Sequence, residues 1–119
     1  MQRFQKSARL LKPDDFQRVK GEGFKYSSGP ITVAAILGDE KRLGLVVSKR
    51  VGCAVERNRI KRVVREYFRS NSNEFPVGDC VVVAQPGLAD LDNATICNTL
   101  SRALAGLLKR AKRGTLGSA

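Results

Sequence analysis

Residues 54–69 read AVERNRIKRVVREYFR, and their apolar and charged side chains alternate with the spacing of a helix that has two different faces. At about 100° per residue, its apolar side chains fall on one arc of a helix: Ile60, Val63, Val64, Tyr67 and Phe68. A second arc, about 140° wide, holds its cations and one amide: Arg57, Asn58, Lys61, Arg62, Arg65 and Arg69. We refer to this second arc as the basic stripe. The pattern predicts a helix that packs through one face and presents the basic stripe on another.

The basic stripe carries more like charge than solubility requires. Like-charged neighbours four residues apart destabilise an isolated helix by about 0.2–0.5 kcal/mol per pair, and only Glu56 and Glu66 are available to offset them. Arginine outnumbers lysine, and guanidinium groups bind phosphate through two hydrogen bonds and stack on bases. Asn58 adds a group that both donates and accepts. The stripe predicts a polyanionic partner, with structured RNA favoured over the alternative of a solvated helix face.

Strand-like runs lie on both sides of this helix. Residues 31–37, 43–49 and 80–84 are rich in Val, Ile and Leu, and a further strand is predicted over residues 24–28. Residues 38–41 have the composition of a hairpin loop. We therefore predict that runs 31–37 and 43–49 form an antiparallel pair.

Two further helices are predicted near the ends of the chain. Residues 12–21 begin with Pro13 and two acids and end at Gly21, as a short helix does. Residues 93–112 repeat apolar side chains at three- and four-residue spacing. The whole pattern indicates an α/β class and a single domain over residues 1–119, with residues 1–10 and 114–119 expected to be flexible.

The charge and the His and Cys content of the chain exclude several classes of protein. The chain of 119 residues has 22 Lys plus Arg against 11 Asp plus Glu, and no His. Ten of those bases lie in residues 41–69, so the charge is segregated as in a phosphate-binding surface. The absence of His and the wide spacing of Cys53, Cys80 and Cys97 exclude a zinc finger and the usual nucleophile–base pairs. We expect all three cysteines to be free thiols that act as small buried apolar residues.

The cellular location is also predicted from the sequence. The N-terminus lacks the apolar segment of a secretion signal, and the longest apolar run, residues 80–84, is too short to cross a bilayer. We expect a cytoplasmic protein.

The central stretch closely resembles the signature of the bacterial ribonuclease P protein subunit. The resemblance lies in RNRIKRVVREYFR at 57–69, preceded by LGLVVSKRVG at 43–52 and by Ala54 and Val55. The order of parts also fits, from the Asp-Phe-Gln of residues 15–17 to the GLADLDN of 87–93, so the resemblance covers nearly the whole chain. It implies a small mixed sheet of about four strands packed with an N-terminal, a central and a C-terminal helix, as in the second domain of ribosomal protein S5.

The resemblance also implies a function. In that family the RNA subunit, with bound Mg²⁺, removes the 5′ leader of precursor tRNA, and the protein supplies no catalytic side chain and needs no protein partner. Contact with the RNA subunit is implied for Lys49, Arg50, Arg57, Asn58, Arg59, Lys61, Arg62, Arg65 and Arg69, of which Arg59 lies off the basic stripe. Contact with the leader is implied for Lys12, Phe16 and Lys20, where Phe16 either stacks on a base or lies in the core. Lys20 and the region of Ala34 and Ala35 lack aromatic residues that some relatives have there, so leader contact is expected to rely more on charge.

Two alternatives remain open at this stage. The same class and charge suit a structural RNA-binding protein of the ribosomal type, with no role in tRNA processing. A metal-dependent nuclease acting without RNA would need five scattered carboxylates to converge on one ion: Asp14, Asp15, Glu56, Glu66 and Asp79.

Overall fold

A four-stranded mixed sheet lies at the centre of the fold. It is seen in a computed structural model that describes residues 17–19, 21, 23–38 and 41–118, with side chains through residue 110. The strands are β1 (Phe24–Ser28), β2 (Ile31–Leu37), β3 (Arg42–Val46) and β4 (Gly78–Ala84), and their order in the sheet is β1-β2-β4-β3. The predicted class and number of strands are confirmed.

Two long helices follow the strands. They are α1 (Ala54–Ser70) and α2 (Asn93–Ser118). A short 3-10 turn, Ser72–Glu74, follows α1, and another, Leu88–Asp90, precedes α2. Helix α2 runs to Ser118, past its predicted end at Lys112 and through Gly114 and Gly117. Of the helix predicted over 12–21, residues 17–19 and 21 are helical and the rest lies outside the described residues.

The predicted pairing of β2 with β3 is wrong. β4 lies between them, antiparallel to β2 and parallel to β3. The reason is the burial of β4, whose Val81 and Val82 are both fully covered although they point to opposite faces. A strand that is apolar on both faces belongs in the middle of a sheet, where both faces are covered. The hairpin is instead formed by β1 and β2, joined through Gly29, whose φ of 55° suits glycine.

Strand β3 is also shorter than predicted. It ends at Val46, and the chain turns immediately afterwards, with Val51 N donating to Ser48 O at 3.1 Å. Lys49 and Arg50 therefore lie in an exposed turn that leads into α1 and are not part of the strand.

The core lies between one face of the sheet and the two helices. It is continuous across α1, α2, the 3-10 turn at Leu88 and the inward side chains of the strands, which include Val33, Leu43, Val82, Ile60, Val64, Leu100 and Leu104. The opposite face is covered by the N-terminal helical residues, where Val19 packs on Ala34 and Val81. No helix in the described ranges combines the length and apolar character that a bilayer crossing requires.

Candidate RNA interface

Helix α1 begins with a closed cap. Cys53 N donates to Glu56 Oε1 at 3.2 Å, which satisfies one of the amide groups that a helix start leaves unpaired. The cap holds Cys53 at the surface, so the expectation that all three cysteines are buried is wrong for this residue. Cys80 is buried as expected, burial raises its pKa to about 12, and Cys97 is half-buried. All three are free thiols, as predicted.

The inner face of α1 is fixed by packing. Ile60, Val63, Val64 and Phe68 are buried, as the helical spacing predicts. The ring of Phe68 meets that of Phe75 edge to face, with centroids 4.8 Å apart, an arrangement favoured by the ring quadrupoles. Because this face is locked into the core, the basic stripe on the other face cannot turn inward.

The basic stripe is open to solvent along its length. Asn58, Arg62, Arg65 and Arg69 are exposed, and Arg57 and Lys61 are half-buried at the edge nearer the core. The ion pairs within the described ranges are Arg18–Asp79 and Arg42–Asp79, so no stripe cation is paired with a described carboxylate. With Lys49 and Arg50 at its start, α1 presents a rigid row of unneutralised cations, which is the requirement for binding a phosphate backbone.

Arg57 has an unusual environment at the edge of the stripe. Its Nε is buried, and within the described residues it makes no hydrogen bond. A buried donor without a partner costs about 1–3 kcal/mol. A bound phosphate or base that draws this side chain outward would recover that energy.

Arg59 points away from the stripe and is held by the protein itself. Its Nη1 donates to Asn93 Oδ1 at 2.7 Å, and its Nη2 donates to the carbonyl oxygens of Ala89 at 2.9 Å and Leu91 at 3.3 Å. The same guanidinium contributes to the lowered pKa of Asp92, whose main cause is the hydrogen bonds from Thr95. Among the residues predicted to contact the RNA subunit, Arg59 is the one whose side chain donates hydrogen bonds to other described residues of the protein.

The far end of α1 is held by a second set of hydrogen bonds. Tyr67 Oη and Ser101 Oγ both donate to Glu74 Oε1, at 2.7 and 2.9 Å. Partial burial raises the pKa of Tyr67, so the phenol stays protonated and can donate at neutral pH. These bonds connect α1, the 3-10 turn Ser72–Glu74 and α2.

The described carboxylates of the nuclease alternative, Glu56, Glu66 and Asp79, do not form a metal-binding cluster. Asp79 accepts hydrogen bonds from Arg18 and Arg42, and Glu56 caps α1. Asp14 and Asp15 lie outside the described residues. Across the described ranges there is no group of three or more acidic or cysteine side chains that could hold a metal ion.

The second face of the sheet carries features that sequence reasoning missed. Arg42 lies on this face and binds Asp79, which is opposite half-buried Ile36 in the sheet. Half-buried Val46 and Val83 lie opposite each other, four residues farther along β3 and β4. The only sequence signal was the alternation of Arg42 with the inward Leu43. The three side chains predicted to contact the leader, Lys12, Phe16 and Lys20, lie outside the described residues.

Comparison with known proteins agrees with this geometry. The ribonuclease P family model matches residues 4–111. The ribonuclease P protein component of Desulforapulum autotrophicum is 42% identical over 103 residues, covering 83% of this chain and 87% of that protein. Two solved structures are each 34% identical, the RNase P proteins of Staphylococcus aureus (TM-score 0.78, covering 84% of this chain and 94% of that one) and Thermotoga maritima (0.72, 81% and 94%). The matches span the sheet, both helices and the basic stripe, and on that ground the chain belongs to the ribonuclease P protein family.

Proposed function

We propose that this protein binds the RNA subunit of ribonuclease P through the basic stripe together with Lys49 and Arg50. As a ribonuclease P protein it is part of an endoribonuclease holoenzyme, and the proposed product of that holoenzyme is the mature 5′ end of tRNA. The observation that carries the proposal is the row of unpaired cations on a helix whose opposite face is locked into the core. The proposal implies a cytoplasmic protein.

Charge neutralisation is the physical basis of the proposed contact. Each phosphate contacted by Lys or Arg releases condensed counterions, which gives an affinity that falls steeply with salt. Neutralisation also reduces repulsion between RNA strands, so the folded catalytic RNA needs fewer free cations. The protein is therefore proposed to lower the Mg²⁺ concentration at which the RNA subunit works.

The chemistry is assigned to the RNA. The described residues offer no carboxylate cluster for a metal, and the one buried thiol, Cys80, is kept protonated by its high pKa. No step is therefore assigned to a protein side chain or to a protein-held metal. Mg²⁺ in this proposal is held by the RNA subunit and the substrate.

The substrate leader is proposed to cross the second face of the sheet. The described part of that face offers half-buried Val46 and Val83 at one end, and half-buried Ile36 beside the Arg42–Asp79 pair at the other. Lys12, Phe16 and Lys20 are proposed to complete this surface from the N-terminal segment. An aromatic ring there adds about 1–3 kcal/mol per stacked base.

Reconstitution tests the function. The protein and the cognate ribonuclease P RNA are mixed with precursor tRNA at a Mg²⁺ concentration too low for the RNA alone, and cleavage at the 5′ end of the mature sequence is followed. We expect the wild-type protein to restore cleavage and an Arg62→Glu/Arg65→Glu variant to restore much less. Failure of the wild type to restore cleavage at any ionic strength, or cleavage by the protein without RNA, would contradict the proposal.

The ribosomal-type alternative is separated by a second measurement. A ribosomal protein co-purifies with ribosomal particles, whereas the proposed function requires co-purification with one structured RNA. The family membership favours the second outcome.

A further inference from the structure

The central motif of α1 contains two arginines in different environments. Arg57 lies on the basic stripe, but Arg59 lies about 60° beyond Arg62 around the helix, outside the stripe. There it makes three hydrogen bonds, with Ala89 in the 3-10 turn Leu88–Asp90, with Leu91 just after that turn and with Asn93, the first residue of α2. Arg57 therefore lies on the side of α1 proposed to face the RNA, whereas Arg59 contacts the protein itself.

The hydrogen bonds of Arg59 occupy the edges that phosphate would need. A guanidinium offers two two-point edges, Nε with Nη2 and Nη1 with Nη2, and both include Nη2. Nη2 donates to the carbonyl oxygens of both Ala89 and Leu91. A phosphate bound to either two-point edge would therefore have to compete with these carbonyl oxygens.

The acceptors of Arg59 are themselves firmly held. The 3-10 turn is anchored by Leu88, which has no exposed surface, and Leu91 packs against the same core. Leu91 N also donates to Leu88 O at 3.1 Å, which closes the turn. Arg59 thus ties the N-terminal half of α1 to a rigid part of the molecule, as the Tyr67–Glu74–Ser101 bonds tie the other half.

We propose that Arg59 is a positioning residue that fixes the rotation of α1 against the turn at 88–93 and so aims the basic stripe, without contacting phosphate itself. The inference rests on the proposed function, because the orientation of the basic stripe would not matter if the stripe bound no RNA. It gives the two arginines of the motif separate roles, one toward the RNA and one toward the protein.

Salt dependence of RNA binding distinguishes positioning from contact. The dissociation constant for the ribonuclease P RNA is measured across a salt series for wild type, Arg59→Ala and Arg62→Ala. We expect Arg62→Ala to reduce the slope of log affinity against log salt by about 0.7–0.9, the value of one phosphate contact. We expect Arg59→Ala to weaken binding by about tenfold, the scale of one hydrogen bond, with the slope unchanged.

Asn93 provides a second way to break the same contact. Asn93→Ala removes one acceptor from a residue on α2, away from the stripe, and we expect a smaller loss of affinity in the same direction. Asn93→Asp keeps an acceptor for Arg59 Nη1 and should retain wild-type affinity.

A matched control separates a loss of folding stability from a direct effect on RNA binding. Val33→Ala in β2 destabilises the core far from Arg59, since Val33 is fully buried in the sheet. Circular dichroism and thermal unfolding identify a temperature at which Val33→Ala and Arg59→Ala are both folded. There we expect Val33→Ala to bind RNA as wild type does and Arg59→Ala to bind more weakly.

Two results would overturn the positioning role. One is a slope for Arg59→Ala reduced as much as for Arg62→Ala, which would make Arg59 a phosphate contact. The other is wild-type affinity for folded Arg59→Ala. An unchanged slope for Arg62→Ala is a separate outcome, which would count against the proposed function of the stripe itself.

Discussion

Arg42 binds Asp79 through two hydrogen bonds, Nε to Oδ1 at 2.7 Å and Nη2 to Oδ2 at 2.8 Å. The two residues are directly opposite each other in the parallel pair of β3 and β4. Arg18 Nη2 also donates to Asp79 Oδ2 at 2.8 Å, so one buried carboxylate joins the N-terminal helical residues to two strands. This arrangement fixes the starts of the strands that flank α1 in the chain.

Replacing Asp79 should destabilise the fold. In Asp79→Ala, Arg42 and Arg18 lose a buried acceptor that holds their guanidinium groups together. Breaking a buried ion pair costs about 3–5 kcal/mol, but both arginines are partly exposed, so we expect about 2 kcal/mol after solvent screening. Urea unfolding measures the change, with Asp90→Ala, an exposed acid on the 3-10 turn, as the control. An unchanged free energy of unfolding for Asp79→Ala would contradict this role.

Gly106 should not tolerate a side chain while Tyr26 is present. The ring of Tyr26 lies against the backbone of α2 at Gly106, closer than a Cβ atom there would allow, and Arg110 Cζ lies 5.7 Å from the ring centroid on the same surface. Gly→Ala within a helix ordinarily stabilises by about 0.5–1 kcal/mol. We expect Gly106→Ala to be destabilising instead, because the ring must move.

The double variant checks this reason. In Tyr26→Ala/Gly106→Ala the ring is gone, so adding the methyl group at Gly106 should recover its ordinary stabilising effect relative to Tyr26→Ala alone. Thermal unfolding of the four proteins in this cycle gives the coupling between the two sites. Equal effects of Gly106→Ala with and without Tyr26 would show that the ring does not restrict this position.

The buried thiol of Cys80 predicts alkaline destabilisation. Its pKa is raised to about 12 in the folded protein by burial, whereas an unfolded cysteine ionises near 8.5. Above about pH 9 the unfolded state therefore holds fewer protons than the folded state, and the free energy of unfolding falls by up to about 1.4 kcal/mol per pH unit. The loss is absent at neutral pH and continues until the folded pKa is reached.

A Cys80→Val variant isolates this effect, because other alkaline titrations are common to both proteins. Between pH 7.5 and pH 10.5 we expect wild type to lose about 2.7 kcal/mol more than the variant. Urea unfolding at the two pH values measures the difference. Equal losses in the two proteins would show that Cys80 does not account for the pH dependence.

The elements that were predicted correctly are those decided by local periodicity. Helix α1 and its two faces follow from the spacing of Ile60, Val64 and Phe68 against that of Arg62 and Arg65, because helical geometry alone places them. The strands also follow from composition and turn residues. The ends of β3 and α2 differed from prediction: β3 ends at Val46 because the chain turns there, and α2 continues to Ser118 through two glycines that ordinarily weaken a helix.

The features that were not predicted depend on contacts distant in sequence. The insertion of β4 between β2 and β3 depends on burial of both its faces, which the run at Val81 and Val82 allows but does not specify. The contacts of Arg59 are with residues about thirty positions later, and nothing local indicates them. The exposure of Cys53 follows from its place at the start of α1, which overrides the usual tendency of cysteine to be buried.

The basic stripe is proposed to contact the phosphates of a catalytic RNA. The most direct test compares the salt dependence of ribonuclease P RNA binding for wild type, Arg62→Gln/Arg65→Gln and a charge-matched control, Arg102→Gln/Lys109→Gln, whose exposed cations lie on α2. We predict that the stripe variant loses about 1.4–1.8 in the slope of log affinity against log salt, for two phosphate contacts, while the control keeps the wild-type slope. Equal slopes for the wild type and the stripe variant, or an equal loss of slope in the stripe variant and the control, would show that the basic stripe makes no specific contact with phosphate.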